Sequence, residues 1–269
     1  MVWLFPPFDP DATGKNKRRR ISRIPMRMIA PNLVTLLALC SGLTGMRMAL
    51  EGRMELAVAA ILVAGVLDAL DGRVARLLKS TSRFGAELDS LTDFVNFGVA
   101  PAIILYSWIL KDAGSIGWIA ALIYSICMVL RLARFNALLD AVDVPAWQSN
   151  FFTGVPAPAG AMVVSLPLLL HFIGVPVLEY GAPFAVIYTI MTGLLLVSRI
   201  PTFSGKKNVL RVSRSAVLPL FVLVVAFVAL FASYPWAVMT ALCLGYLGAI
   251  PFSWHSWRKH CQQDALKQT

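Results

Sequence analysis

The sequence predicts an all-α integral membrane protein of about eight transmembrane helices with both termini in the cytoplasm, and three observations carry that expectation. The chain is 58% hydrophobic and only 14% charged, with a mean hydropathy of +0.72, against about 45–50% apolar and about 25% charged in an ordinary soluble domain. Apolar stretches near the roughly 20 residues that cross a bilayer recur at 32–50, 55–78, 90–110, 116–138, 156–176, 182–200, 215–233 and 235–254. Finally, with the N-terminus inside, only Arg47, Arg53 and Lys111 of the 24 Lys and Arg fall on the outward side, as the positive-inside rule requires. An even number of spans returns the C-terminus to the cytoplasm, and no room is left for a separate soluble domain.

Taken in order, residues 1–30 form a basic cytoplasmic arm whose NKRRRISRIPMRM run mixes cations with Ile, Pro and Met. That mixture suits an anionic membrane surface, or a positive-inside anchor with a loose tip. The basic run and the apolar run after it resemble a secretory signal, with LLALC at 36–40 near a lipoprotein cleavage site. Leu39 is too bulky before Cys40, however, and more apolar stretches follow directly, so the first stretch is read as a retained span. The second and third contain ionisable groups, and the Pro-rich 145–158 segment blurs the start of the fifth. Residues 31–255 are therefore read as the transmembrane catalytic domain and 256–269 as a cytoplasmic tail. The inward connections 139–155 and 201–214 are longer than a helical hairpin needs, whereas the outward ones, such as KDAGS at 111–115, are minimal. Chemistry is accordingly expected on the cytoplasmic side. Cys40, Cys127, Cys243 and Cys261 stand singly, which indicates neither zinc nor disulfides. His171, His255 and His260 receive no role, and the Trp residues near span ends fit interface belts. The net charge of +10 resides at span ends and does not indicate nucleic acid.

Of the 14 acidic residues, Asp68, Asp71, Glu87, Asp89 and Asp93 crowd into residues 68–93. A carboxylate at membrane depth costs at least about 2.5 kcal/mol and faces a protein interior or a wet cavity. On a helix Asp68 and Asp71 lie about 60° apart, with Gly72 and Ala75 in the same sector and Arg76 at its edge. Gly85, Asp89 and Asp93 follow at four-residue steps and form one stripe on the next helix. Two facing stripes of oxygen ligands, without Cys or His, suit Mg²⁺ or Mn²⁺, and Mg²⁺ favours sites shared with substrate phosphates. Small residues at 72, 75 and 85 clear the same face for a ligand, although small residues also mediate helix packing in membranes.

Written out, residues 68–93 read D-x2-D-G-x2-A-R-x8-G-x3-D-x3-D. This resembles, at every fixed position, the signature of the CDP-alcohol phosphatidyltransferase family. The resemblance implies two divalent cations, Mg²⁺ or Mn²⁺, held by Asp68, Asp71, Asp89 and Asp93 against the diphosphate of a CDP-lipid, with Asp93 as general base. It also implies that Gly72, Ala75 and Gly85 line the nucleotide and that Arg76 meets the diphosphate. Asn32 and Thr35, in PNLVT, resemble the family's opening and are expected to contact the nucleotide, although Pro31-Asn32 is equally a helix start.

The strings DFVNFGVAPA (93–102), RLARFN (131–136), FTGVPAPA (152–159) and SRIPTFSGKK (198–207) are similar to the branch of this family that uses L-serine. That likeness implies CDP-diacylglycerol and L-serine as substrates, a homodimer, and a multi-pass protein of the cell inner membrane. Serine brings a carboxylate, so its pocket should offer a fork-shaped cation. Arg131 and Arg134 are placed for this, or else anchor the span; Asn96 and Asn136 would orient the ammonium group. Lys206 and Lys207 are candidates for lipid phosphate or simply satisfy the positive-inside rule. Direct displacement is expected rather than a covalent phosphatidyl-enzyme, because no Ser, Cys or His stands within the motif's ligand face.

Three rival readings remain at this level. Glycerol 3-phosphate or an inositol phosphate could be the acceptor, but a dianion should want more cations than Arg131 and Arg134. A transporter would explain buried acids but not the Gly, Ala and Arg fixed between them. A silent scaffold of the same fold would not need the complete motif.

Overall fold

The computed structural model describes residues 26–78, 82–139, 151–177, 181–198, 200–203 and 214–268. The basic arm up to residue 25, and Lys206 and Lys207, lie outside them. Helices occupy all the apolar stretches read from the sequence. Among the described residues five are long and apolar enough to cross a membrane: Ile29–Leu50, Arg83–Trp108, Ser115–Ala137, Ala216–Ser233 and Pro235–Trp257.

The chain opens with α1 (Met26–Leu50) and α2 (Met54–Leu77), joined through Gly52 at φ +79. They pack along one another because the contact is lined with small residues. A Cβ at Gly45 would meet the Ala57 carbonyl oxygen at 3.0 Å, and the Ser41 hydroxyl donates to the Ala60 carbonyl at 2.7 Å. Although α2 is long enough to span, Asp68, Asp71, Arg73 and Arg76 lie in its second half.

Ser82 then caps α3 (Arg83–Asp93), its hydroxyl accepting from the Gly85 N–H. The same rod continues through a π-helical turn, Phe94–Val99, into α4 (Ala100–Trp108). Pro101 has no N–H to offer the Phe97 carbonyl four residues earlier. The Tyr124 hydroxyl, on α5 (Ser115–Leu139), donates to that carbonyl at 3.0 Å. Within hydrocarbon such a group must be met from inside the protein.

The device recurs in the fifth stretch, which is broken at Ser165 into α6 (Ala157–Val164) and α7 (Leu166–Phe172). Here Pro167 cannot serve the Val163 carbonyl, and the Tyr188 hydroxyl from α8 (Gly181–Val197) donates to it at 2.6 Å. Close packing of α5 on α8 follows from Gly193, where an added Cβ would lie 3.3 Å from the Tyr124 Cα.

The two long connections, 139–155 and 201–214, contain short strands not expected from the sequence, β1 (Phe151–Thr153) and β2 (Pro201–Phe203), paired antiparallel. Arg134 ties this end together: its guanidinium donates to the carbonyls of Val197 at 2.8 Å and Ser198 at 3.2 Å. Last come α9 (Arg214–Ser233) and α10 (Pro235–Gln268). The most apolar of the five spans lies in α9, and none of that window is buried. α10 continues past residue 254 through the segment expected as a tail. Tyr124, Phe97, Met128, Leu168 and Leu196 centre the core.

Candidate active site

At its C-terminal half α2 faces the start of α3, with α1 alongside both. Carboxylate oxygens of Asp68, Asp71 and Asp89 lie within 4.8 Å of one another, and the Asp68 carboxyl also touches that of Asp93. The 300° advance from Asp68 to Asp71 and the four-residue step from Asp89 to Asp93 put each pair on one helix face. The antiparallel hairpin then turns the two faces together. Asp71 is 5% exposed. Oδ1 of Asp93 is buried without a hydrogen-bond partner, so an acceptor atom is held ready in a place where water is scarce. Four carboxylates pressed against one another need positive charge, and an all-oxygen donor set of this kind suits a hard divalent cation. The residues present fit such an ion.

Beside the cluster lies a cleft of about 210 Å³ lined by Pro31, Asn32, Thr35, Asp71, Gly72, Ala75, Arg76, Ser82, Gly85, Ala86 and Asp89. The structure thus gathers around one space the motif's small residues and arginine and the two residues singled out on α1. Nothing lies within 4 Å of a Cβ built on Gly72, so a side chain there would project into open space, while one on Gly85 would meet the Asn32 Oδ1 at 3.1 Å. Glu87, counted in the same acidic window, is exposed and does not line the cleft.

The acceptor-side residues part company. Arg131 is half-buried and lies within electrostatic reach of Asp93, with its guanidinium 5.9 Å from the Phe135 ring centre. Arg134 instead makes the carbonyl bonds at the end of α8. Asn136 donates to the Ser90 hydroxyl at 2.9 Å, linking α5 to the residue after Asp89. Asn96 is 0% exposed and both polar atoms of its amide lack a hydrogen-bond partner. A Cβ at Gly42 would collide with that amide, which places Asn96 against α1.

Sequence reasoning missed an apolar groove of about 530 Å³ on the other face of α2. It runs along α2 from Val58 to Arg73 and is closed by Phe97, α6–α7 and Met239. The signal available was Gly65 and Ala69, small residues of α2 that line it.

The sequence matches known proteins: the CDP-alcohol phosphatidyltransferase family model covers residues 28–198, and a second, CDP-alcohol phosphatidyltransferase 2, covers residues 215–251. The chain belongs to the CDP-alcohol phosphatidyltransferase family and is a multi-pass membrane protein. It is similar to the CDP-diacylglycerol--serine O-phosphatidyltransferase of Mycobacterium leprae, with 43% identity over 90% of this chain and 79% of the relative. The proteins of that name from Mycobacterium tuberculosis (40% identity, 91% of this chain and 84% of the relative) and Helicobacter pylori strain J99 (34%, 81% and 87%) are also similar.

Proposed function

We propose that this chain transfers the phosphatidyl group of CDP-diacylglycerol to the hydroxyl of L-serine, giving phosphatidylserine and CMP. The observation that carries the reading is the convergence of Asp68, Asp71, Asp89 and Asp93 beside a cleft lined by the motif's small residues and Arg76. The shared name of the similar proteins supports serine as the acceptor.

In this reading the cleft of Gly72, Ala75 and Gly85 takes the cytidine end, walled by Asn32, and Arg76 faces the diphosphate. The groove along α2 takes acyl chain, since it is apolar and runs from Val58 to Arg73, about 22 Å at 1.5 Å rise per residue, which suits a long hydrocarbon tail. Asp68, Asp71, Asp89 and Asp93 would hold two divalent cations, Mg²⁺ or Mn²⁺, whose positive charge would offset that on the diphosphate and on departing CMP. Asp93 accepts the proton of the serine hydroxyl at its free Oδ1. The serine oxygen bonds to the phosphorus nearer the diacylglycerol as the bond from that phosphorus to the CMP oxygen breaks, and CMP leaves. Arg131 pairs with the serine carboxylate, which brings the hydroxyl of the same small molecule toward Asp93. In the same reading Asn96 and Asn136 orient the ammonium group. Eight spans, a cytoplasmic active site in the inner membrane, and a homodimer complete the reading.

The test is CMP release by detergent-purified protein with CDP-diacylglycerol and Mg²⁺ or Mn²⁺, adding serine, glycerol 3-phosphate or an inositol phosphate singly. Serine-dependent release is expected, and Asp93→Asn should lower it by about 10²–10⁴-fold. Release with another acceptor only would overturn serine while keeping the chemistry. No metal-dependent release with any acceptor would overturn the reading.

A further inference from the structure

We infer that Thr35 is a positioning residue for the carboxylate cluster: its hydroxyl sets the orientation of Asp71, and its proton is therefore not offered to the nucleotide. The inference rests on the metal-binding reading of the cluster given above.

Thr35 is 4% exposed and Asp71 5% exposed, so neither meets bulk water. The Thr35 hydroxyl approaches Oδ2 of Asp71 at 2.6 Å, a distance typical of an O–H donating to a charged oxygen. Its other contact is the Pro31 carbonyl at 3.2 Å. One hydroxyl carries one proton, and the shorter bond to the carboxylate takes it. That bond fixes the direction of Oδ2, and the carboxylate's remaining lone pairs are available to the cluster.

Within α2 the Gly72 N–H reaches the Asp71 carboxyl and Gly72 supplies no side chain, so a side-chain donor has to come from outside α2. It comes from α1, which places no carboxylate in the cluster yet packs closely on α2 through Gly45 and Ser41. A β-branched threonine is also restricted at χ1, so the donor itself is held. Partners of this kind, one shell behind a metal ligand, typically change metal affinity by about 10–100-fold when removed.

The experiment measures Mn²⁺ binding by full-length protein in detergent, without lipid substrate, by the electron spin resonance of free Mn²⁺. CDP binding at saturating Mn²⁺ and the melting temperature without metal are measured alongside. Thr35→Val keeps the branched shape and loses the hydroxyl, whereas Thr35→Ser keeps the hydroxyl and loses the methyl. Mn²⁺ affinity is expected to fall about 10–100-fold in Thr35→Val and to stay within about threefold of wild type in Thr35→Ser, with CDP binding at saturating metal unchanged in both.

Unchanged Mn²⁺ binding in Thr35→Val, or equal loss in both variants, would overturn the inference. So would CDP binding weakened while Mn²⁺ binding holds, which makes Thr35 a nucleotide contact. Unfolding of Thr35→Val without metal would also overturn it, by assigning the hydroxyl to the bundle rather than the cluster. A wild-type protein that binds no Mn²⁺ would instead overturn the metal reading itself.

Discussion

Asp93 and Arg131 sit on different helices within electrostatic reach of one another. Their pairing explains why one of the two expected arginines remains a candidate for the acceptor while Arg134 caps α8. Arg131→Lys retains the charge and loses the fork that matches a carboxylate. It is expected to lower kcat/KM for serine by about 10- to 100-fold, the equivalent of one charge-assisted contact. The loss should appear in the KM for serine and leave the KM for CDP-diacylglycerol nearly unchanged. An equal rise in both constants would make Arg131 structural. The aspartates were legible in the sequence because carboxylates at membrane depth are costly and their spacing defines helix faces. The division of labour between Arg131 and Arg134 was not, since two cations three residues apart look alike until α8 is placed against α5.

At the scale of the helix, two prolines interrupt spans and two tyrosines answer them. Pro101 and Pro167 withhold an N–H from Phe97 and Val163, and Tyr124 and Tyr188 supply an O–H from a neighbouring helix. Tyr124→Phe removes such a donor in the protein core, where an unmet carbonyl costs about 1–3 kcal/mol. A lower melting temperature in detergent is expected. Pro101→Ala restores the backbone donor, so the double variant should lose less than Tyr124→Phe alone, a coupling that a double-mutant cycle measures. Additive losses would disprove the pairing. The proline positions were visible in the sequence, and their partners were not, because Tyr124 and Tyr188 lie 27 and 25 residues beyond the carbonyls they serve.

For the whole molecule, the sequence distributes its Lys and Arg so that an inside N-terminus leaves only Arg47, Arg53 and Lys111 outward, a sorting that the positive-inside rule reads as topology. The topology read from that sorting has a direct test. Green fluorescent protein fused after Thr269 is expected to fluoresce, and alkaline phosphatase fused in the connection after Lys111 is expected to be active. The reverse pattern would invert the topology and move the site to the other leaflet. α9 fits the same scheme: its bulky residues Leu218 and Phe221 are 74% and 69% exposed, as lipid-facing positions can be without cost.

What the sequence determined by itself was the membrane class, the apolar stretches that become helices, and the motif with its paired carboxylates. These follow from local quantities: hydropathy over about 20 residues, and helical angles between residues three or four apart. Only the tertiary structure decided which helices surround the cluster. It brought Thr35 of α1 onto Asp71, set Arg131 beside Asp93, opened an apolar groove on the far side of α2, and joined two loops into a small sheet. Each of these depends on helix-to-helix distances set by glycines and buried hydrogen bonds between segments remote in sequence, which no local pattern encodes.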